Sequence, residues 1–133
     1  MKVFADTNFL VSAFATRGLS PEVFEIILAK HELMTGEFVL TELKGILSEK
    51  FKLPNEIIAD TLRLLSRHHV EPMPTHPSKT HVRDEDDRWV LASALNAKAD
   101  VLITGDKDLL EIAGNVKQLK IITPRQFWEL TQK

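Results

Sequence analysis

Four carboxylates in this chain stand where a fold has to account for them: Asp6, Glu42, Asp87 and Asp106. Asp6 closes the apolar run of "VFAD", and Asp106 follows "VLIT" across a single Gly105. Asp87, in "RDEDDRWVLASAL", sits near the centre of the apolar stripe drawn by Val90, Leu91, Ala94 and Leu95 at about 100° per residue, with Glu85 roughly opposite. Glu42 borders the apolar stripe of its own helix, with Val39 and Ile46 at the i−3 and i+4 positions. A carboxylate on a core face is costly unless it is paired, so Asp87 has to meet a cation, a donor or a water-filled cleft. If the four converge, each close pair at about 4 Å repels by roughly 1 kcal/mol in water and about 4 kcal/mol at an effective dielectric of 20. A divalent cation is the natural compensator. The chain has no cysteine, and no histidines are paired at helical zinc-site spacing, so oxygen ligands point to Mg²⁺ or Mn²⁺ rather than zinc. The matching substrate carries phosphate.

Each of these acids also has a purely structural reading. Asp6 and Asp106 precede plausible helices and suit the N-cap position. Asp84, Glu85 and Asp86 read as an acidic first turn that complements a helix dipole. Glu42 taken alone is an ordinary solvated helix residue. Only Asp87, on the core side, resists that treatment.

The elements that would hold these residues follow from periodicity. "KVFAD" reads as a buried strand, "SPEVFEIILAK" as a helix with Ser20 at the N-cap and Pro21 at N1, and "HELMT" as a short strand. Helices over "EFVLTELKGILSEKF" and "PNEIIADTLRLLSRH" precede "HVEPM". After "PMPTHPSKTHVR" come a helix through "DEDDRWVLASALNAKA", a strand "VLIT", a short helix in "DLLEIA", a strand "KIIT" and a last helix "PRQFWELTQ". Alternation without tight hairpins predicts a three-layer α/β/α sandwich around a central, mostly parallel sheet. In such open sheets ligands bind outside the carboxyl ends of the strands, where strand order reverses. Asp6 and Asp106 belong to that edge.

With 133 residues, 44% hydrophobic and 27% charged, the chain suits one domain over residues 1–133. No apolar run approaches the roughly 18 residues of a membrane span, and the N-terminus lacks signal-peptide features, so a cytoplasmic protein without membrane contact is expected. A net charge of −2 and a pI near 6.2 leave no overall basic footprint, so a nucleic-acid partner needs a local one. "THPSKTHVR", with His76, Lys79, His81 and Arg83, is one candidate, and Arg17 after the first helix is another. Phe127, Trp128 and Trp89 read as packing residues rather than a base-stacking platform.

"ADTNFLVSAF", "LTELKGIL", "RDEDDRWVLASAL" and "VLITGDKDLL" occur in the order and approximate spacing of PIN-domain ribonucleases, which the chain resembles over nearly its whole length. Within that family it is most similar to the small prokaryotic VapC-like toxin components of toxin-antitoxin systems. The resemblance implies that Asp6, Glu42, Asp87 and Asp106 form an acidic metal site, with Thr7, Asn8 and Thr104 as polar support. Asp86 and Asp108 are neighbouring alternatives, since the pattern admits either acid of "DEDD" or "DKD". It further implies hydrolysis of RNA phosphodiesters with one or two Mg²⁺ ions, a separately encoded protein antitoxin, and a homodimer. Two rivals use the same sheet edge. A receiver or an aspartyl-phosphate phosphatase would need a Lys after the last strand or an acid two residues after Asp6, where Pro124 and Asn8 stand. The other rival is a noncatalytic scaffold of the same family that binds RNA or a protein.

Overall fold

The computed structural model describes residues 1–132. Five strands form one sheet: β1 (Lys2–Ala5), β2 (Glu32–Gly36), β3 (His69–Glu71), β4 (Val101–Ile103) and β5 (Lys120–Ile122). Their order is β3-β2-β1-β4-β5 and every pairing is parallel. Val3, Phe4 and Ala5, and likewise Val101, Leu102 and Ile103, are buried in succession. Alternate residues of a strand face opposite sides, so consecutive burial means that both faces are covered.

The connections supply the cover. Helices α1 (Thr7–Ala15) and α2 (Leu19–Lys30) link β1 to β2; α3 (Glu37–Glu49) and α4 (Asn55–Ser66) link β2 to β3; α5 (Glu85–Asn96) links β3 to β4; and α6 (Lys107–Glu111) leads on to β5. Right-handed crossovers assign α1–α4 to one face and α5 and α6 to the other. The final helix, α7 (Pro124–Thr131), packs against α2, where the Phe127 ring meets His31 edge-on at 5.3 Å between centroids. Phe127 is fully buried and Trp128 packs on the same core. Trp89 stacks on Phe38. The aromatics are therefore packing residues, as their periodicity implies.

One local expectation is corrected. α2 starts at Leu19 with Gly18 as its N-cap, so Ser20 and Pro21 lie inside the first turn instead of opening it. Gly18 adopts φ 114°, a region open to glycine but strained for other residues, and this lets the chain enter α2 at Leu19. Pro21 is tolerated there because the first N–H groups of a helix have no intrahelical acceptor.

Strand order reverses between β1 and β4. The first half of the chain is laid out on one side of β1, and the crossover through α5 returns the chain to the other side. The carboxyl ends of β1 and β4 therefore lie side by side, in register from Val3 with Val101 to Ala5 with Ile103. Asp6 and Thr104 are the next residues on the two strands. Its backbone N–H ties Asp6 to the Ile103 carbonyl at 3.1 Å.

Candidate metal centre

Asp6 caps α1, its Oδ1 accepting from the Thr7 N–H at 2.7 Å, while Oδ2 accepts from the Thr104 hydroxyl at 2.6 Å. Only 3% of Asp6 is exposed. The Thr104 oxygen in turn accepts from the Asp106 N–H at 2.9 Å, so one buried hydroxyl ties both strand-end acids together. Asp106 caps α6 through Oδ1, which accepts from the Asp108 N–H at 2.8 Å. The capping reading of both acids is thus correct, and it leaves other carboxylate lone pairs open. Asn8 Oδ1 accepts from the Gly105 N–H at 3.0 Å and pins the β4–α6 loop to α1. On α3, half-buried Glu42 accepts from the Thr7 hydroxyl at 2.7 Å through Oε1.

The start of α5 is arranged differently. Asp84 is the N-cap, accepting from the Asp86 N–H at 2.9 Å. Asp87 is 7% exposed, and its Oδ2 is buried without a hydrogen-bond partner among the described residues. One carboxylate oxygen from each of Asp84, Asp87 and Asp108 lies within 4.8 Å of the other two. Arg83 is the nearby counter-charge, 3.3 Å from Glu111 and 3.9 Å from Asp108, but its side chain is 75% exposed and weak as a neutraliser.

Burial and mutual repulsion raise the carboxyl pKa values. Desolvation pushes Asp6 up to about 6 despite its bonds from Thr104 and Thr7, with Asp106 and Glu42 adding repulsion. Desolvation pushes Asp87 up to about 8, reinforced by Asp106, Asp6 and Asp84. Glu42 is raised too, by partial burial and by Asp86, Asp84 and Asp106, against the lowering effect of Thr7.

The four acids singled out in the sequence lie near enough at one sheet edge to act on one another, Asp6 with Glu42, Asp87 and Asp106, but of the four only Asp87 belongs to the three-acid group whose oxygens could share one ion. Of the two alternatives, Asp108 joins the oxygens of Asp84 and Asp87, while Asp86 is exposed and acts on Glu42. Sequence reasoning missed Asp84 by reading it only as a dipole acid. The available signal was its i, i+3 spacing from Asp87, which puts both on one helix face. The donor set fits a hard divalent cation: oxygen only, anionic, and carrying a buried oxygen that no group among the described residues satisfies.

An all-parallel sheet with acids gathered at the carboxyl ends of β1 and β4, met by acids from α3 and α5, defines an open-sheet α/β protein with a switch-point site. The chain belongs to the PIN domain family, whose pattern it matches over residues 2–108. It is 31% identical over 147 aligned positions to Uncharacterized protein MJ1680 of Methanocaldococcus jannaschii, across the whole of this chain and 93% of that one. Among solved structures, its fold is similar to VapBC2 from Rickettsia felis bound to a DNA fragment from their promoter, with a TM-score of 0.66 and 17% identity over 92% of this chain and 98% of that one. It is similar also to Mycobacterium tuberculosis VapC20, a Sarcin-Ricin loop cleaving toxin, with a TM-score of 0.59 and 17% identity over 82% and 93%. A third likeness is to the PIN domain endonuclease Utp24, with a TM-score of 0.51 and 21% identity over 92% and 84%. Among the described residues no helix is long and apolar enough to cross a membrane.

Proposed function

We propose that this chain is a Mg²⁺- or Mn²⁺-dependent endoribonuclease, a single PIN nuclease domain acting as the toxin of a toxin-antitoxin pair in the cytoplasm. The observation that carries the reading is the buried Oδ2 of Asp87, without a partner among the described residues, beside Asp84 and Asp108 and repelled by Asp106 and Asp6. Family membership and the likeness to the endonuclease Utp24 support the nuclease class, and the likeness to VapC20, a Sarcin-Ricin loop cleaving toxin, favours RNA as the substrate. Asp6, Glu42, Asp87 and Asp106 would hold the ion, with Asp84 and Asp108 beside them. Once bound, a divalent ion supplies charge stabilisation for the phosphate and makes water a competent nucleophile near neutral pH.

The chain's own residues prepare for this. Thr104 fixes Asp6 and the Asp106 backbone from one oxygen, and Thr7 fixes Glu42, so these side chains keep their orientation before any cation arrives. The acids repel a bare phosphate, so substrate and cation have to arrive as mutually compensating charges. No histidine is needed as a base. A protein antitoxin and a homodimer are the partners that the VapC-like character suggests; light scattering that found only monomer at working concentration would remove the dimer.

The test is cleavage of a mixed RNA pool by purified protein with Mg²⁺ or Mn²⁺, against chelator and against Asp6→Asn prepared in parallel. Metal-dependent cutting absent from the variant is expected. No cutting with either metal would leave a noncatalytic scaffold.

A further inference from the structure

The basic segment between β3 and α5 is not used by the acid cluster, and it is not a loose loop. Pro74, Ser78 and Val82 are buried at four-residue intervals, while Thr75, His76, Lys79, His81 and Arg83 between them are exposed. Arg88 of α5 locks the middle anchor: its Nε and Nη2 donate to the Ser78 carbonyl at 3.1 and 2.8 Å, and the Ser78 N–H donates to the Arg88 carbonyl at 3.0 Å. The Thr80 N–H closes a turn on the Ser78 hydroxyl at 3.1 Å. Order is thus imposed on a stretch that forms no helix or strand.

This strap roofs a cavity of about 360 Å³ against the outer face of α5 and the segment before β5. His76, Lys79, Asn96 and Gln118 supply its polar groups, and Leu95 and Val116 supply apolar wall. Among the described residues no carboxylate lines it. Among the described residues, His76, Lys79 and His81 form no ion pair, in a protein whose net charge is −2. From the cavity the strap runs through His81 and Arg83 directly into Asp84. Asp87 and Leu95 are eight residues apart on α5, a rise of about 12 Å.

We propose that this cavity holds a nucleotide of a single-stranded RNA flanking the cut, with Lys79 on its phosphate, Asn96 and Gln118 on polar base edges, and Leu95 and Val116 beside the base. The inference rests on the nuclease reading and deepens it. A cation without an acidic neighbour, amide groups and an apolar wall are what a nucleotide requires and what the metal centre itself lacks. The strap then sets which sequence is cut, by fixing one base about two helical turns from the acids.

The experiment compares the wild-type protein with Lys79→Gln, Asn96→Trp and the distant control Lys50→Gln in cleavage kinetics. In parallel, binding of one single-stranded RNA oligonucleotide is measured over a range of salt, with each change also placed in an Asp87→Asn background. Lys79→Gln should raise KM, leave kcat within about 2-fold, and reduce the slope of log affinity against log salt by about 0.7, one phosphate contact on a single strand. Asn96→Trp should fill the cavity, raise KM about 10-fold and leave the salt slope unchanged, as a lost base contact does. Lys50→Gln should match the wild type. Cutting with unchanged KM and binding in both cavity variants would overturn the subsite and keep the nuclease. Equal weakening by Lys50→Gln would reduce the effect to general charge and overturn the subsite as well. Binding that depends on Lys79 without any cutting would support the track and overturn the nuclease. No RNA binding would overturn both.

Discussion

The two sides of the acidic edge are built in opposite ways. On the β1 side, both oxygens of Asp6 receive hydrogen bonds, and Glu42 is held by Thr7. On the α5 side, Asp87 has a buried oxygen with no donor and two further acids within reach of it. Burial is similar for Asp6 and Asp87, at 3% and 7% exposed, yet Asp87 is raised to about 8 and Asp6 only to about 6. Two things separate them: Thr104 and the Thr7 N–H offset part of the desolvation of Asp6, whereas Asp87 is raised further by Asp106, Asp6 and Asp84 with no such donor against them. The protein satisfies one half of the edge by itself and leaves the other half short of donors.

The comparison is broken most severely by removing charge. Asp87→Asn and Asp6→Asn should each lower RNA cleavage by about 10³-fold or more, on the scale seen when a group acting mainly in the transition state is lost. Their circular dichroism should remain that of the wild type, and the metal-free Asp87→Asn protein should melt higher. Wild-type cleavage by either variant would remove that residue from the site.

Thr104→Val tests the completed half. It takes the donor from Asp6 and the acceptor from the Asp106 N–H, and it should cost about 1–3 kcal/mol of stability through buried unpaired groups. Cleavage should fall by about 10–100-fold, the usual consequence of losing a residue that orients a metal ligand. Denaturant melts and initial rates measure the two effects separately.

The pH dependence separates the halves without changing the core. Asp87, Asp6 and Glu42 all titrate higher in the fold than in the unfolded chain, so the fold binds the extra protons. The stability these three groups contribute to the metal-free protein should therefore be complete below about pH 4, near the unfolded carboxyl values, and be lost as pH rises through about 6 and on to about 8. Mn²⁺ should raise the melting temperature more at pH 8 than at pH 5, since protons compete for the same oxygens. Asp87→Asn should flatten the upper part of the profile. A melting temperature independent of pH from 5 to 8 in the metal-free protein would show that the α5 side is not strained.

The smallest change is expected from Arg83→Ala. Its pairs with Glu111 and Asp108 are exposed, so stability should move by less than about 0.5 kcal/mol. A larger loss in thermal melts would mean that Arg83, rather than a cation, neutralises this corner.

Much of the edge was legible in the sequence because burial on both sheet faces leaves long apolar runs, and an acid that ends such a run stands out. Asp6 and Asp106 were visible in that way, and Asp87 through the stripe it interrupts. Asp84 was not, because an N-cap and a member of an acid cluster look identical in one dimension. The start of α2 was misplaced because Ser20 and Pro21 form a plausible cap, whereas the turn depends on Gly18 reaching a positive φ. The order of the strap was hidden for a different reason: the contact between Ser78 and Arg88 is tertiary, and no local pattern encodes it.

β1 lies at the middle of the sheet, and its second neighbour, β4, is supplied almost a hundred residues later. The bond from Thr104 to Asp6 spans 98 positions. During synthesis the chain carries Asp6 and Glu42 for most of its length before Thr104, Asp106 and Asp108 exist, and closing the β1–β4 pair over so long a loop is slow compared with local helix formation. A ribosome-bound fragment that stops short of β4 therefore has the first acids without their partners, so the acidic edge is completed only once β4 and α6 have been made.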